Sequence, residues 1–186
     1  AVRVEQSEAT VAELSPDTNY TFRVTAVDAQ DNESALSEPL FESTATPAPT
    51  LSVSFPDGNE IGEAGTVEAD LSLSAVPEGL AGFDVVVSLG DTSVATVQDA
   101  AAASQFQPTD TTVADDGSSV TIEAADNGKQ AQPGATDVAL GTVTLAAESA
   151  GTTAVDVSVD QVDDDSGGKI DPTVAGGQLT VAPVAA

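Results

Sequence analysis

The sequence contains no cysteine, histidine, tryptophan or methionine, and only one tyrosine and five phenylalanines. Without cysteine there is no disulfide and no thiolate chemistry, and that absence leaves the compartment open. Without histidine the commonest general base is missing, and each of two segments that mimic catalytic signatures lacks a partner it needs. Asp165-Ser-Gly167 has the form of half an aspartic-protease dyad, but no second Asp-Thr/Ser-Gly exists, Asp91-Thr-Ser being the nearest. Asp165-Ser-Gly-Gly168 has the form of a serine-nucleophile segment, but such a serine needs a base, and neither lysine stands in an apolar run that would make it one. The chain is therefore expected not to be an enzyme. Basic residues are scarce too: Arg3, Arg23, Lys129 and Lys169 face 31 Asp and Glu, for a net charge of −27. A nucleic acid would be repelled by such a surface, and an anionic membrane is disfavoured on the same ground. No signal peptide and no run of about 18 apolar residues is present. Targeting and anchoring signals of a secreted parent protein are expected to lie outside this sequence.

What is there is an aliphatic, alanine-rich core in the making, with 40% hydrophobic residues. Strong net charge can mark disorder, but here the acids alternate with Val, Leu and Ile in strand-like runs, which acidic tails lack. The expectation is a folded protein suited to concentrated salt. At about 1 M salt the screening length is roughly 3 Å, so self-repulsion is largely suppressed. Asp outnumbers Glu and lysine is nearly absent, similar to the surface bias of proteins from salt-loving archaea. An ordinary acidic secreted domain is the alternative.

The pattern is clearest over 79–97. Phe83, Val85, Val87 and Leu89 share one face of a strand and Asp84, Val86 and Ser88 the other, because successive side chains alternate. A turn at Gly90 and Asp91 follows, then Val94 and Val97. Similar runs recur downstream of residue 50: Leu51, Val53 and Phe55; Val67, Ala69, Leu71 and Leu73; Val120, Ile122 and Ala124; 138–145; Val155, Val157 and Val159; and 177–181. Turns are expected at 76–79, at Asp115-Asp116-Gly117 and at 151–153, and long loops at 126–134 and 163–168. Alanine content alone would make 100–110 helical; Gln105-Phe-Gln-Pro108 points instead to a loop with at most one helical turn, Phe106 plugging the core. Some eight or nine short strands with turns between them predict an all-β sandwich, and no helix long enough for a parallel α/β sheet separates them.

The first 46 residues differ. Leu14-Ser-Pro leads to Tyr20, after which Tyr20, Phe22, Val24 and Ala26 alternate with Thr21, Arg23 and Thr25 over 21–28. A polar turn is expected at 31–34 and a strand beginning at 36–40. This stretch resembles the C-terminal half of a fibronectin type III domain, with Tyr20 at the tyrosine-corner position. A complete domain of that immunoglobulin-like kind needs seven strands in about 100 residues; only three or four fit here, so the resemblance implies a partial sandwich that leans on a neighbour or exposes apolar surface. Asn19-Tyr-Thr21 and Asn32-Glu-Ser34 read as glycosylation acceptors at Asn19 and Asn32. The expected organisation is a partial domain over 1–46, a Pro-rich, semi-rigid linker over 47–50 and the sandwich over 51–183.

From 66 to 181 the order of motifs resembles the cohesin family, jelly-roll sandwiches that bind dockerin modules. Val76-Pro-Glu-Gly followed by the 82–89 strand, Asp91-Thr-Ser-Val-Ala-Thr-Val97, Ala139-Leu-Gly-Thr-Val-Thr-Leu145 with Ala150-Gly-Thr-Thr153, and the closing 171–181 segment carry the likeness. It implies a partner face that includes the 83–89 strand, with Asp84 as the acidic contact and Val86 beside it. The asparagine usual two residues before that acid is Gly82 here. The acidic loop with Asp160, Asp163, Asp164 and Asp165 is a candidate calcium site, calcium being a hard cation that takes six to eight oxygens. It departs from the EF-hand pattern, since counting from Asp163 puts Gly167 where a third side-chain oxygen belongs and Val174 where the closing Glu belongs. A solvated acidic turn is the other reading. By resemblance the chain is an extracellular or cell-surface attachment module holding a dockerin-type partner, with no cofactor unless calcium binds that loop. A carbohydrate-binding accessory module of a surface hydrolase, with polysaccharide as ligand, and a passive spacer are the alternatives. The sandwich's only aromatics, Phe55, Phe83 and Phe106, argue against the first of these.

Overall fold

The computed structural model describes residues 10–15, 18–46 and 48–183. It divides into two compact units, 1–47 and 48–186. In the first, β1 (Asn19–Phe22) pairs antiparallel with β2 (Leu40–Ser43), Tyr20 opposite Glu42 and Phe22 opposite Leu40. The ladder stops at Phe22, short of the strand expected over 21–28. Serine hydroxyls take over beyond it: the Val24 and Ala26 amides donate to Ser37 Oγ and Ser34 Oγ at 3.1 and 2.9 Å, places where a strand partner would offer carbonyls. The turn that follows is closed by Asp28, whose carboxylate accepts from the Gln30 and Asn32 amides and from Asn32 Nδ2. Those bonds, the Asn32 side chain's first, hold the Asp28 pKa below the usual carboxylate range. Tyr20 Oη accepts the Ser15 amide at 2.8 Å. Val24, Leu36, Leu40 and Phe41 are exposed, and the two strands among this unit's described residues form a single antiparallel pair.

The second unit is a two-sheet jelly-roll sandwich. Its strands are β3 (Thr50–Ser54), β4 (Glu60–Gly62), β5 (Thr66–Val76), β6 (Gly82–Leu89), β7 (Ala95–Ala102), β8 (Thr109–Val113), β9 (Ser119–Ala125), β10 (Ala135–Ala147), β11 (Gly151–Asp163), β12 (Thr173–Ala175) and β13 (Gly177–Ala182). One sheet has the order β12-β3-β5-β10-β7, the other β4-β13-β11-β6-β9-β8. The alternating residues meet between them: Val67, Ala69, Leu71, Leu73, Val143 and Leu145 from the first, Phe83, Val85, Val87, Val120, Ile122 and Val155 from the second, in one core. Phe106 is fully buried in it, edge-on to Phe83 with ring centroids 5.2 Å apart and planes at 83°. The hairpin turn between β8 and β9 falls at Asp115-Asp116-Gly117, where Gly117 has a φ of +66° that other residues rarely adopt.

Eleven strands form among the described residues of this second unit where eight or nine are expected. The additions are pieces without an alternating apolar signature. β4 and β12 are three residues each and pair parallel with β13 and β3, and β8 (Thr-Asp-Thr-Thr-Val) is polar because it is a sheet edge. Residues 100–102, assigned to a loop from sequence, continue β7, and the segment that carries Phe106 inward is only 103–108. Gly151 opens β11 rather than forming a turn.

Candidate functional site

Strand β6 lies inside the six-stranded sheet, flanked by β11 and β9. Its alternation buries Phe83, Val85 and Val87 and leaves Asp84 and Val86 partly exposed on the outer face. Each outward residue of β6 thereby acquires two cross-strand neighbours that sequence spacing could not reveal. Asp84 stands opposite Glu123 of β9 and Gln161 of β11, and Glu123 in turn stands opposite Asp110 of β8. The result is a row Asp110–Glu123–Asp84–Gln161 across four strands. The next row is Thr112, Thr121, Val86 and Ser158, uncharged and small. Like charges directly opposite on neighbouring strands are destabilising, so the first row is held against its own repulsion. Asp84 Oδ1 is shut off from solvent and has no hydrogen-bond partner.

A bulge decides which residue of β11 faces Asp84. The register shifts between Val159, opposite Val85, and Gln161, opposite Asp84. Without the extra residue, Asp160 would stand opposite Asp84 and put a fourth carboxylate in the row. With it, Asp160 is the unpaired bulge residue and a neutral amide takes its place. The same shift returns Val162 to the core, which is why the run Val155, Val157, Val159 does not continue with period two.

On the other side of Asp84 the face deepens into an open groove of about 450 Å³, lined among others by Gly82, Pro108, Glu123, Ala125, Gln161 and Asp163. Gly82 is opposite Ala125 and Asp163. A Cβ there would sit 2.8 Å from the Ala124 carbonyl oxygen, too close for backbone to yield cheaply. The asparagine that the cohesin resemblance leads one to expect at this position is thus sterically excluded, and the groove occupies the space beside it. One wall is fixed by Asp126, a buried acid that sequence reading places only in a loop. Its carboxylate accepts the Gln130 and Ala131 amides at 2.9 and 2.7 Å, and its own amide donates to Ala81 O at 2.7 Å. The Asp-x-x-x-Gln-Ala spacing of a loop closing on its first residue is the only sequence signal for it.

The acidic loop is arranged differently from a cation cradle. Asp160 is the exposed bulge residue. Asp163 faces outward and accepts from Gln161 Nε2. Asp164 Oδ1 accepts the Ser166 and Gly168 amides, each at 2.8 Å. Asp165 pairs with Lys129 at 3.2 Å. The four carboxylates point to four local partners or to solvent, and among the described residues no group of three or more metal-ligating side chains is gathered. Asn19 is exposed on β1, while Asn32 is exposed in the turn with its Nδ2 bonded to Asp28.

No protein-family model matches the chain, and no curated protein matches it. Solved structures do. The chain is similar to the cohesin of the Coh-OlpA–Doc918 cohesin–dockerin complex from Clostridium thermocellum, at 14% identity and a TM-score of 0.61 over 73% of this chain and 100% of that one. It is similar to a non-cellulosomal cohesin from the archaeon Archaeoglobus fulgidus, at 13% identity and a TM-score of 0.58 over 73% and 92%. It is also similar to CaCohA2 from Clostridium acetobutylicum, at 19% identity and a TM-score of 0.56 over 74% and 93%. At such identities the likeness establishes the architecture, and the fold of this sandwich is that of the cohesins.

Proposed function

We propose that the sandwich is a non-catalytic attachment module that holds a dockerin-type protein on the outer face of the six-stranded sheet, with Asp84 and Val86 at the centre of the contact. The observation that carries this is Asp84 itself: an acid on an interior strand, turned outward, with an oxygen removed from water and left without a donor. Such a group costs free energy in the isolated protein, and the carboxylate recovers it by turning that oxygen out to a donor that a partner brings. The similar cohesin of the C. thermocellum structure is in complex with a dockerin, which supports the same face of reasoning. In this reading calcium enters with the partner, as the Asp160–Asp165 loop spends its carboxylates on its own amides and on Lys129. The charge of −27 fits work in concentrated salt, and an extracellular or cell-surface setting fits an attachment role. The first unit is a partial fibronectin type III-like spacer, a reading supported by the Ser15–Tyr20 bond, and Asn19 and Asn32 are its glycan acceptors. Sugar binding is the weaker function: Phe55 is half-buried and Phe83 and Phe106 are buried, so none of the sandwich's aromatic rings offers a stacking platform.

The test is calorimetric titration of the full chain with a dockerin module from a salt-adapted source, in about 2–3 M salt to screen self-repulsion, with calcium and then with chelator. Calcium-dependent binding that weakens about tenfold in Asp84→Ala, a loss of roughly 1.4 kcal/mol, is expected. A folded chain that binds none of a panel of such modules would overturn the proposal and leave a spacer.

A further inference from the structure

We infer that the groove beside Gly82 is the seat of a long cationic side chain, a lysine or arginine, brought by the protein that this face holds. The inference rests on the attachment reading for the source of the cation, and on the groove's own geometry for its chemistry. Three observations converge. The row Asp110–Glu123–Asp84 places three carboxylates on adjoining strands in direct register, and among the described residues the ion pairs lie elsewhere, Lys129 with Asp165 and Lys169 with Asp171. Asp84 Oδ1, flanked in that row by Glu123 and Gln161, lacks a donor. The groove next to the row is lined by Gly82, Pro108 and Ala125, which offer no polar side chain, and by Glu123 and Asp163, which offer charge.

That combination selects among occupants. A bare cation would need converging oxygens, and no metal-binding group of three is gathered among the described residues; a space of about 450 Å³ is also far larger than an ion. A neutral apolar side chain would fill the floor but leave the carboxylates unanswered. A Lys or Arg satisfies both, its aliphatic stem lying on glycine, proline and alanine and its head reaching the acids. Arginine fits best, because a planar guanidinium can donate to two carboxylates at once. Two local features make the site: the Ala124 carbonyl excludes any side chain at position 82, and the β11 bulge keeps Asp160 out of the row.

The experiment uses N-propylguanidinium as the probe and propylurea as its neutral isostere. Each is titrated into the isotopically labelled full chain, at the lowest salt at which circular dichroism shows it folded, with backbone amide shifts as readout. Saturable shifts confined to the region of Gly82, Glu123 and Ala125 are expected with the cation and not with the urea. The double variant Glu123→Gln/Asp110→Asn should weaken them about fivefold, while Asp156→Asn, an exposed acid of the same sheet, should leave them unchanged. Shifts spread over the acidic surface without saturation, or equal shifts with propylurea, would overturn the inference. The two readings fail separately. Probe binding without any dockerin binding sinks the attachment reading alone; dockerin binding indifferent to the double variant sinks the groove's role alone.

Discussion

Replacing Phe106 by alanine tests whether the sandwich is built as described. The ring is fully buried, makes an edge-on contact with Phe83, and is the largest wholly buried side chain. Deleting a buried phenylalanine costs about 3–5 kcal/mol, more when the surroundings cannot close on the cavity. Here they cannot close easily. The 103–108 segment is pinned on both sides of the ring by Phe106 N to Ala103 O at 3.0 Å, Gln107 N to Ala125 O at 2.8 Å and Ala125 N to Pro108 O at 3.0 Å. The expected loss is therefore about 4 kcal/mol, of which the aromatic pair supplies about 1. With a urea slope of about 2 kcal/mol/M, the unfolding midpoint should fall by about 2 M. The assay is urea denaturation in salt followed by far-ultraviolet circular dichroism, because the protein has no tryptophan and its one tyrosine, Tyr20, belongs to the first unit. Phe106→Leu, which keeps most of the volume, should recover more than half of the loss. A fall of less than about 0.5 M in Phe106→Ala would mean that the ring is not enclosed, and would refute the core assignment.

Two further outcomes follow from named hydrogen bonds. Asp126→Ala leaves the Gln130 and Ala131 amides without an acceptor and should destabilise the sandwich by about 3 kcal/mol in the same urea assay, the groove amides losing hydrogen-exchange protection first. Asp28, Asp91 and Asp116 have pKa values held below the ordinary range by bonds from Asn32, Ser93 and Ser118 respectively. A carboxyl whose folded pKa lies below its unfolded value of about 3.9 contributes stability above that pH and loses it as pH falls through the folded value. Carboxyl-carbon NMR titration should find these three below the ordinary aspartate range, with Ser93→Ala raising the Asp91 pKa only part of the way, because the residue 93 amide still donates to it.

Much of the sandwich is legible in the sequence because period-two alternation is a local property. Phe83, Val85 and Val87 against Asp84 and Val86 can be assigned to faces from eight consecutive residues, and the Asp-Asp-Gly hairpin and the Phe106 plug are local signals as well. Pairing is not local. That Glu123 and Asp110 line up with Asp84 depends on the register of three strands separated by tens of residues, and Gln161 joins them only because of a bulge that shows in sequence merely as a broken period. Asp126 is hidden for another reason: a buried acid satisfied by its own loop's amides looks, in sequence, like any of the other acids of a highly charged surface. The four aspartates of the acidic loop show the converse. Nearness in sequence suggests one cluster, but a bulge, a strand end and a tight turn send successive side chains to different partners.

The two short parallel pairings give the sandwich a particular response to tension. β4, near the start of the unit, runs beside β13 at its end, and β3 likewise runs beside β12. Pulled by its two chain ends, the unit takes the load first on β3 and β13, each of which has a parallel partner, β12 and β4. The bonds of the second pair, Glu60 to Gly62 against Thr180 to Ala182, lie across β13 and are sheared together when β13 is drawn along its own length. An antiparallel hairpin pulled from its open end would instead unzip one bond at a time. A module tethered through one end and loaded through the other thus meets the force at strands held on both sides, β3 by β5 and β12, and β13 by β11 and β4.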